Sequence, residues 1–175
     1  MSKFKQFERP LFFAGQLLTA ADLQSEQDYF RGKSRLHNRF LHGWGVVTGL
    51  SVSDDQGALI ISPGLALDCA GNELVLAEPE RIQLSGLSGR HYITIEYVEI
   101  PIELEPTPQG EVQPSGLREA VRVALASANP SIGHSGMVSG SPGCGQVHAL
   151  CLATISQHGT HWRIARAKHS GPHRK

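Results

Sequence analysis

The chain has 175 residues, 40% hydrophobic and 18% charged, with 16 Lys and Arg against 16 Asp and Glu. This length makes one domain with a substantial core the default, and a net charge of zero excludes the basic surplus expected of a nucleic-acid binder. The start, MSKFKQFERP, has no apolar stretch for a secretory signal and no run reaches transmembrane length, so cytoplasmic synthesis without membrane insertion is expected.

Residues 1–18 read as an extended arm. Phe4, Phe7, Leu11, Phe12 and Phe13 make it too aromatic for a free tail; it needs a surface to pack on, its own domain or a neighbour. A long helix is expected over 19–43. Thr19 is a natural N-cap, Asp22 can return the capping bond, and Leu18 and Leu23 occupy the two positions of a hydrophobic staple. At about 100° per residue, Leu23, Phe30, His37 and Leu41 fall on one line and Tyr29, Leu36 and Phe40 on a second beside it. Gln24, Asp28, Arg31, Arg35 and Arg39 lie on the far side. One apolar strip is expected to cover the domain core, the other a second surface such as another chain. Gly43 follows as the C′ residue.

The corner Gly43-Trp44-Gly45 marks a change of architecture. Trp44 reads as a packing wedge between helix and sheet, with a ligand platform as the alternative. A β-domain is expected over 44–166. Val46 to Val52 reads as one strand, Asp54 to Gly57 as a turn, and Leu59 to Ile61 as a second strand. Leu65 to Asp68 and Glu73 to Leu76 form a hairpin about Ala70-Gly71-Asn72. Ile82 to Leu84 is short. His91 to Ile100 alternates with period two and is the longest strand candidate. Residues 101–118 hold four prolines and read as a long loop; Val121 to Leu125 resumes the strand pattern. Residues 127–146, rich in Ser, Gly and Pro, read as a second long loop. Val147 to Ser156 and His161 to Ile164 form a closing hairpin, and 167–175 a solvated basic tail. Short strands separated by turn signals predict a mainly β fold, a compact β-sandwich or open barrel, behind one N-terminal helix.

Chemistry is sparse. His37 and His42, five apart, lie off a common α-helical face and are poor co-ligands; His37 on the apolar stripe reads as a hydrogen-bonded core histidine. Cys144 and Cys151 with His134 and His148 come nearest to a zinc set, but the spacing matches no established finger and Cys151 lies in an apolar strand. Cys69 and Cys151 read as buried thiols, and three cysteines are poor material for a disulfide framework. Turn chemistry accounts for Asp68 beside Glu73. No nucleophile elbow, phosphate loop, zinc-protease or dinucleotide motif occurs. The expectation is no cofactor, no metal and no catalysis.

Phe12 to Leu23, Glu26 to Tyr29 and Arg35 to Leu50, with Pro63 to Asp68, Gly71 to Glu73 and Cys151 to Ile155, resemble small proteins and tail-fibre N-terminal regions. Those proteins are associated with contractile phage tails and with phage-tail-like extracellular contractile injection systems. The resemblance implies a structural role at or near the baseplate or fibre attachment point. Its partners would be baseplate, spike or fibre subunits, with a homo-oligomer also open. Relatives of this kind carry more cysteines before the last strand. Only Cys144 and Cys151 stand there in this chain, so no metal or disulfide staple is carried over. Phe4, Phe7, Phe12, Phe13, Tyr29, Leu36, Phe40 and Trp44 are the expected interface residues. The competing readings are a carbohydrate- or receptor-binding β-domain using the two long loops, neither of which contains an aromatic, and a small metal-assisted hydrolase.

Overall fold

The computed structural model describes residues 6–130, 144–159 and 161–167. Phe4, His134 and the tail beyond 167 lie outside the described residues. Helix α1 spans Ala20–His37 and begins with a reciprocal capping box. The Asp22 N–H donates to the Thr19 hydroxyl at 3.2 Å, and the Thr19 N–H donates to the Asp22 carboxylate at 2.9 Å. Bonding from the Thr19 hydroxyl, then from its backbone, holds the Asp22 carboxyl below its ordinary value. A carboxyl lowered in the folded state stabilises the fold above its unfolded value, and the effect fades as pH falls through the folded value. Thr19→Ala should therefore speed amide exchange in the first turn at neutral pH. The native chain should approach the variant's rate only below the Asp22 transition, as hydrogen exchange across an acid titration would read.

The helix does not stay α-helical to its end. Asn38–His42 is a π-helical turn, closed by Gly43 at φ 76°. In a π turn residues five apart share a face, so the Nε2 atoms of His37 and His42 come within 3.1 Å. The sequence argument against this pair assumed α geometry. His37 is also exposed rather than a core histidine.

The described strands are β1 Gly45–Gly49, β2 Val52–Asp55, β3 Ala58–Ile61, β4 Gly64–Leu67, β5 Glu73–Leu76, β6 Glu80–Gln83, β7 Arg90–Pro106, β8 Val112–Ala126, β9 Leu150–His158 and β10 His161–Arg166. They form three antiparallel sheets ordered β1-β4-β5, β2-β3-β6 and β10-β9-β7-β8, and among the described residues none closes into a barrel. The mainly β expectation with a single N-terminal helix therefore holds.

Two expectations fail. Val46 to Val52 is two strands in different sheets, because Gly49 and Leu50 both take left-handed backbone, φ 64° and 52°. The chain turns there against β4: a Cβ on Gly49 would overlap the Pro63 carbonyl and lie 2.8 Å from the Gly64 Cα. Residues 101–118 are not a loop. They are most of the outer half of a hairpin in which β7 and β8 pair from Tyr92↔Ala126 out to Pro106↔Val112. The described parts of 127–146, by contrast, contain no strand.

The core gathers Leu59, Ile61, Leu74, Ile93, Ile95, Leu150 and Ile155 from all three sheets, with Trp44 and Cys69 at its margin near the helix exit. β5 packs against β7 and β8, and β10 against β2, so the sheets share this core.

Candidate functional site

The helix is mounted with its polar side inward. Asn38 is buried, and its side-chain amide donates to the Gly71 carbonyl at 2.9 Å and to the Glu73 carboxylate at 3.3 Å. One turn earlier the Arg35 carbonyl abuts Gly71 of the β4–β5 turn. One further turn back, Arg31 forms an ion pair with Glu99 on β7. Tyr97 donates to the same carboxylate at 2.8 Å. Burial, and then bonding to Glu99 and Glu119, pushes the Tyr97 phenol above its ordinary value, so it remains a neutral donor. The residues holding the helix thus come from the side that the sequence assigned to solvent.

The apolar strips face outward. No residue of α1 is buried, and Phe30 and Leu41 are 62% and 65% exposed. Tyr29, Phe30, Leu36, His37, Phe40 and Leu41, with Lys33 and Ser34, line an open groove of about 840 Å³. The Lys33 ammonium lies 5.5 Å from the Tyr29 ring centre, a cation–π contact that leaves its charge at the groove edge. The arm folds back toward this helix: Phe7 meets Tyr29 edge-on at 6.2 Å, and its ring fills the space beside Gly32. Exposed contiguous apolar faces are candidate interaction sites.

Of the expected interface residues, Tyr29, Leu36 and Phe40 share the groove. Phe7, Phe12 and Phe13 are exposed on the arm, with Phe7 also against the helix. Trp44 is 5% exposed and belongs to the core cluster, as a packing wedge would; no partner can reach its ring without unfolding the corner. Phe30 and Leu41 were on the sequence's apolar line but outside its interface set. The outer hairpin was missed. Ile100, Leu104, Val112 and Leu117 are exposed along β7 and β8, the last three of them where a loop was expected.

The residues that came nearest to a zinc set in the sequence are divided. Cys144 and His148 lie together, but their third neighbour is Cys69, with one donor atom from each within 4.8 Å of the others. Cys151 lies outside this cluster and donates to the Ala153 carbonyl at 3.5 Å. Cys151, seven residues from Cys144, is the nearer cysteine along the chain; the fold instead delivers Cys69 from the β4–β5 turn. Burial is the main cause that pushes the Cys69 thiol up to about 12.

No family model and no curated protein matches the chain. Among solved structures, the crystal structure of TssK aligns with a TM-score of 0.51 and 13% identity, over 91% of this chain and 41% of that one. A chain in the cryo-electron-microscopy structure of the type VI secretion system TssK-TssF-TssG baseplate subcomplex aligns with a TM-score of 0.53 and 13% identity, over 96% of this chain and 62% of that one. The chain therefore spans less than two thirds of either structural neighbour. At this identity the likeness is one of fold.

Proposed function

We propose that this protein is a non-enzymatic structural subunit or adaptor of a contractile phage-tail-like particle, at or near the baseplate or fibre attachment point. It would be made in the cytoplasm and then incorporated into the particle. The observation that carries this reading is the inverted mounting of α1. The helix spends its polar side on its own domain and presents its apolar side outward, which is costly for a monomer and useful for a subunit. The fold shared with a baseplate component supports the same reading from a separate direction.

The groove suits one kind of occupant, an apolar-striped helix of a neighbouring subunit. Leu23, Phe30 and His37 repeat every seven residues, as do Tyr29 and Leu36, the spacing that helix-on-helix packing needs. The ligand-binding alternative loses one of its two loops, because 101–118 largely forms the outer hairpin.

An affinity pull-down of the tagged chain from cells that contain such particles, read by mass spectrometry, tests the proposal. Recovery of sheath, tube, spike or baseplate subunits is expected. Recovery of the bait alone, from cells shown to hold assembled particles, would overturn it.

A further inference from the structure

We propose that Cys69, Cys144 and His148 form a zinc-binding site that ties the β4–β5 turn to the segment entering β9. Two sulfurs and one imidazole make a donor set that favours zinc over hard cations. Zinc holds such ligand atoms about 3.3–3.8 Å apart, so a cluster already within 4.8 Å closes with small side-chain rotations.

The scaffold around the three donors is fixed independently of any metal. The Asp68 carboxylate accepts from the Asn72 N–H at 2.8 Å and from its side-chain amide at 2.7 Å, which locks the turn carrying Cys69. The Gly145 N–H donates to the Cys69 carbonyl at 3.0 Å, which joins the two segments. The Gln146 N–H points at the Cys144 Sγ at 3.4 Å, a bond that strengthens when the sulfur carries thiolate charge. The His148 Nδ1–H donates to the Ala149 carbonyl at 3.2 Å. That bond selects the tautomer whose Nε2 carries the lone pair, the arrangement in which a ligating histidine is oriented by a carbonyl. Trp44 meets the His148 ring edge-on at 6.3 Å and shelters one side of the cluster.

Binding needs no oxidant. Two thiols release their protons to solvent, two Zn–S bonds and one Zn–N bond form, and water completes a tetrahedron. A disulfide between Cys69 and Cys144 would need an oxidant and would leave the third donor without a role; both sulfurs are free thiols here. The metal would clip together residues 69 and 144, far apart in sequence, where the turn below α1 meets the last hairpin.

The test is a titration of the chelator-stripped chain, kept reduced, with Zn²⁺ against a chromophoric competitor, and in parallel with Co²⁺ read by its absorption spectrum. One equivalent is expected, with thiolate-to-cobalt charge transfer and tetrahedral bands. Cys144 is exposed, so Cys144→Ser leaves the core intact. In folded protein, Cys144→Ser and His148→Gln should each weaken zinc by more than about 100-fold, beyond the ~10–100-fold that loss of an outer partner costs. Folded Cys151→Ala should bind as the native chain does. No uptake by the reduced native chain, uptake undiminished in both ligand variants, or uptake lost in folded Cys151→Ala would each overturn the site.

Discussion

Introducing carboxylates at two outward positions of α1, Phe30→Glu with Leu41→Glu, should abolish capture of partner subunits and leave the melting transition of the chain where it was. Both side chains are mostly solvent-exposed in the isolated protein, so the fold loses little packing. Under a docked helix the same positions would be covered. Each new carboxylate would then lose its water without gaining a partner, at a cost of several kcal/mol. Two such groups, together with the lost ring and aliphatic contacts, should weaken association by at least about 1,000-fold, roughly 4 kcal/mol. Gln24→Ala, on the other side of the helix, should leave capture unchanged. If the double variant still recovers the same subunits at native yield, the groove is not the docking surface, and the exposed side chains of the outer hairpin become the next to test.

The expected outcome depends on a feature that periodicity could locate but not orient. The cap at Thr19, the staple and the two apolar lines were all legible, and the helix begins where they say. A helical wheel assigns the apolar side to the core because burial of apolar surface dominates folding. The sequence placed one strip on the core and the other on a second surface; in the structure residues of both line the outward groove. The turn at Gly71, which contacts the Arg35 carbonyl and receives the Asn38 amide, and the Arg31 ion pair with Glu99 reveal the inner side.

Other failures have similar local causes. Prolines at 101, 106, 108 and 114 signalled a loop. Beyond Ile95, however, β7 no longer pairs with β9, so the outer hairpin is a two-stranded ribbon with an open edge on each strand, where proline costs no ladder bond. The break between β1 and β2 rests on Leu50 at φ 52°, a conformation no leucine announces. Turns rich in Gly and Asn were readable: Gln56-Gly57, both at positive φ, closes β2 onto β3, and Gly71-Asn72 closes β4 onto β5. Cys69 was invisible as a neighbour of Cys144 because no spacing rule connects residues so far apart. Once the two turns meet, the cluster follows from the fold alone.

The largest effect on the fold itself is expected from Gly71→Ala. Gly71 sits at φ 90°, where a side chain costs about 1–2 kcal/mol. Its added Cβ would overlap the Arg35 carbonyl oxygen and lie 2.9 Å from that residue's carbonyl carbon and Cα. None of these atoms can rotate away, since they belong to the helix backbone and the same carbonyl accepts the Asn38 N–H. The helix would have to lift, breaking the Asn38 amide bonds to Gly71 and Glu73 and leaving buried polar groups unpaired at about 1–3 kcal/mol more. A total of about 2–5 kcal/mol is expected. Gly86→Ala is the control. Gly86 has φ 77° with open space around it, so it should show only the conformational part. Because α1 contributes no buried residue of its own, the loss should appear first as faster proteolysis of the arm and helix while the β-core persists. Equal costs for the two glycine variants in a denaturant titration would mean that the helix is not held on the β4–β5 turn. A larger cost at Gly71, with capture of partner subunits lost as well, would show that the presented face exists only while its polar side is seated. The Phe30→Glu, Leu41→Glu pair separates the two roles, since it should lose capture without losing stability.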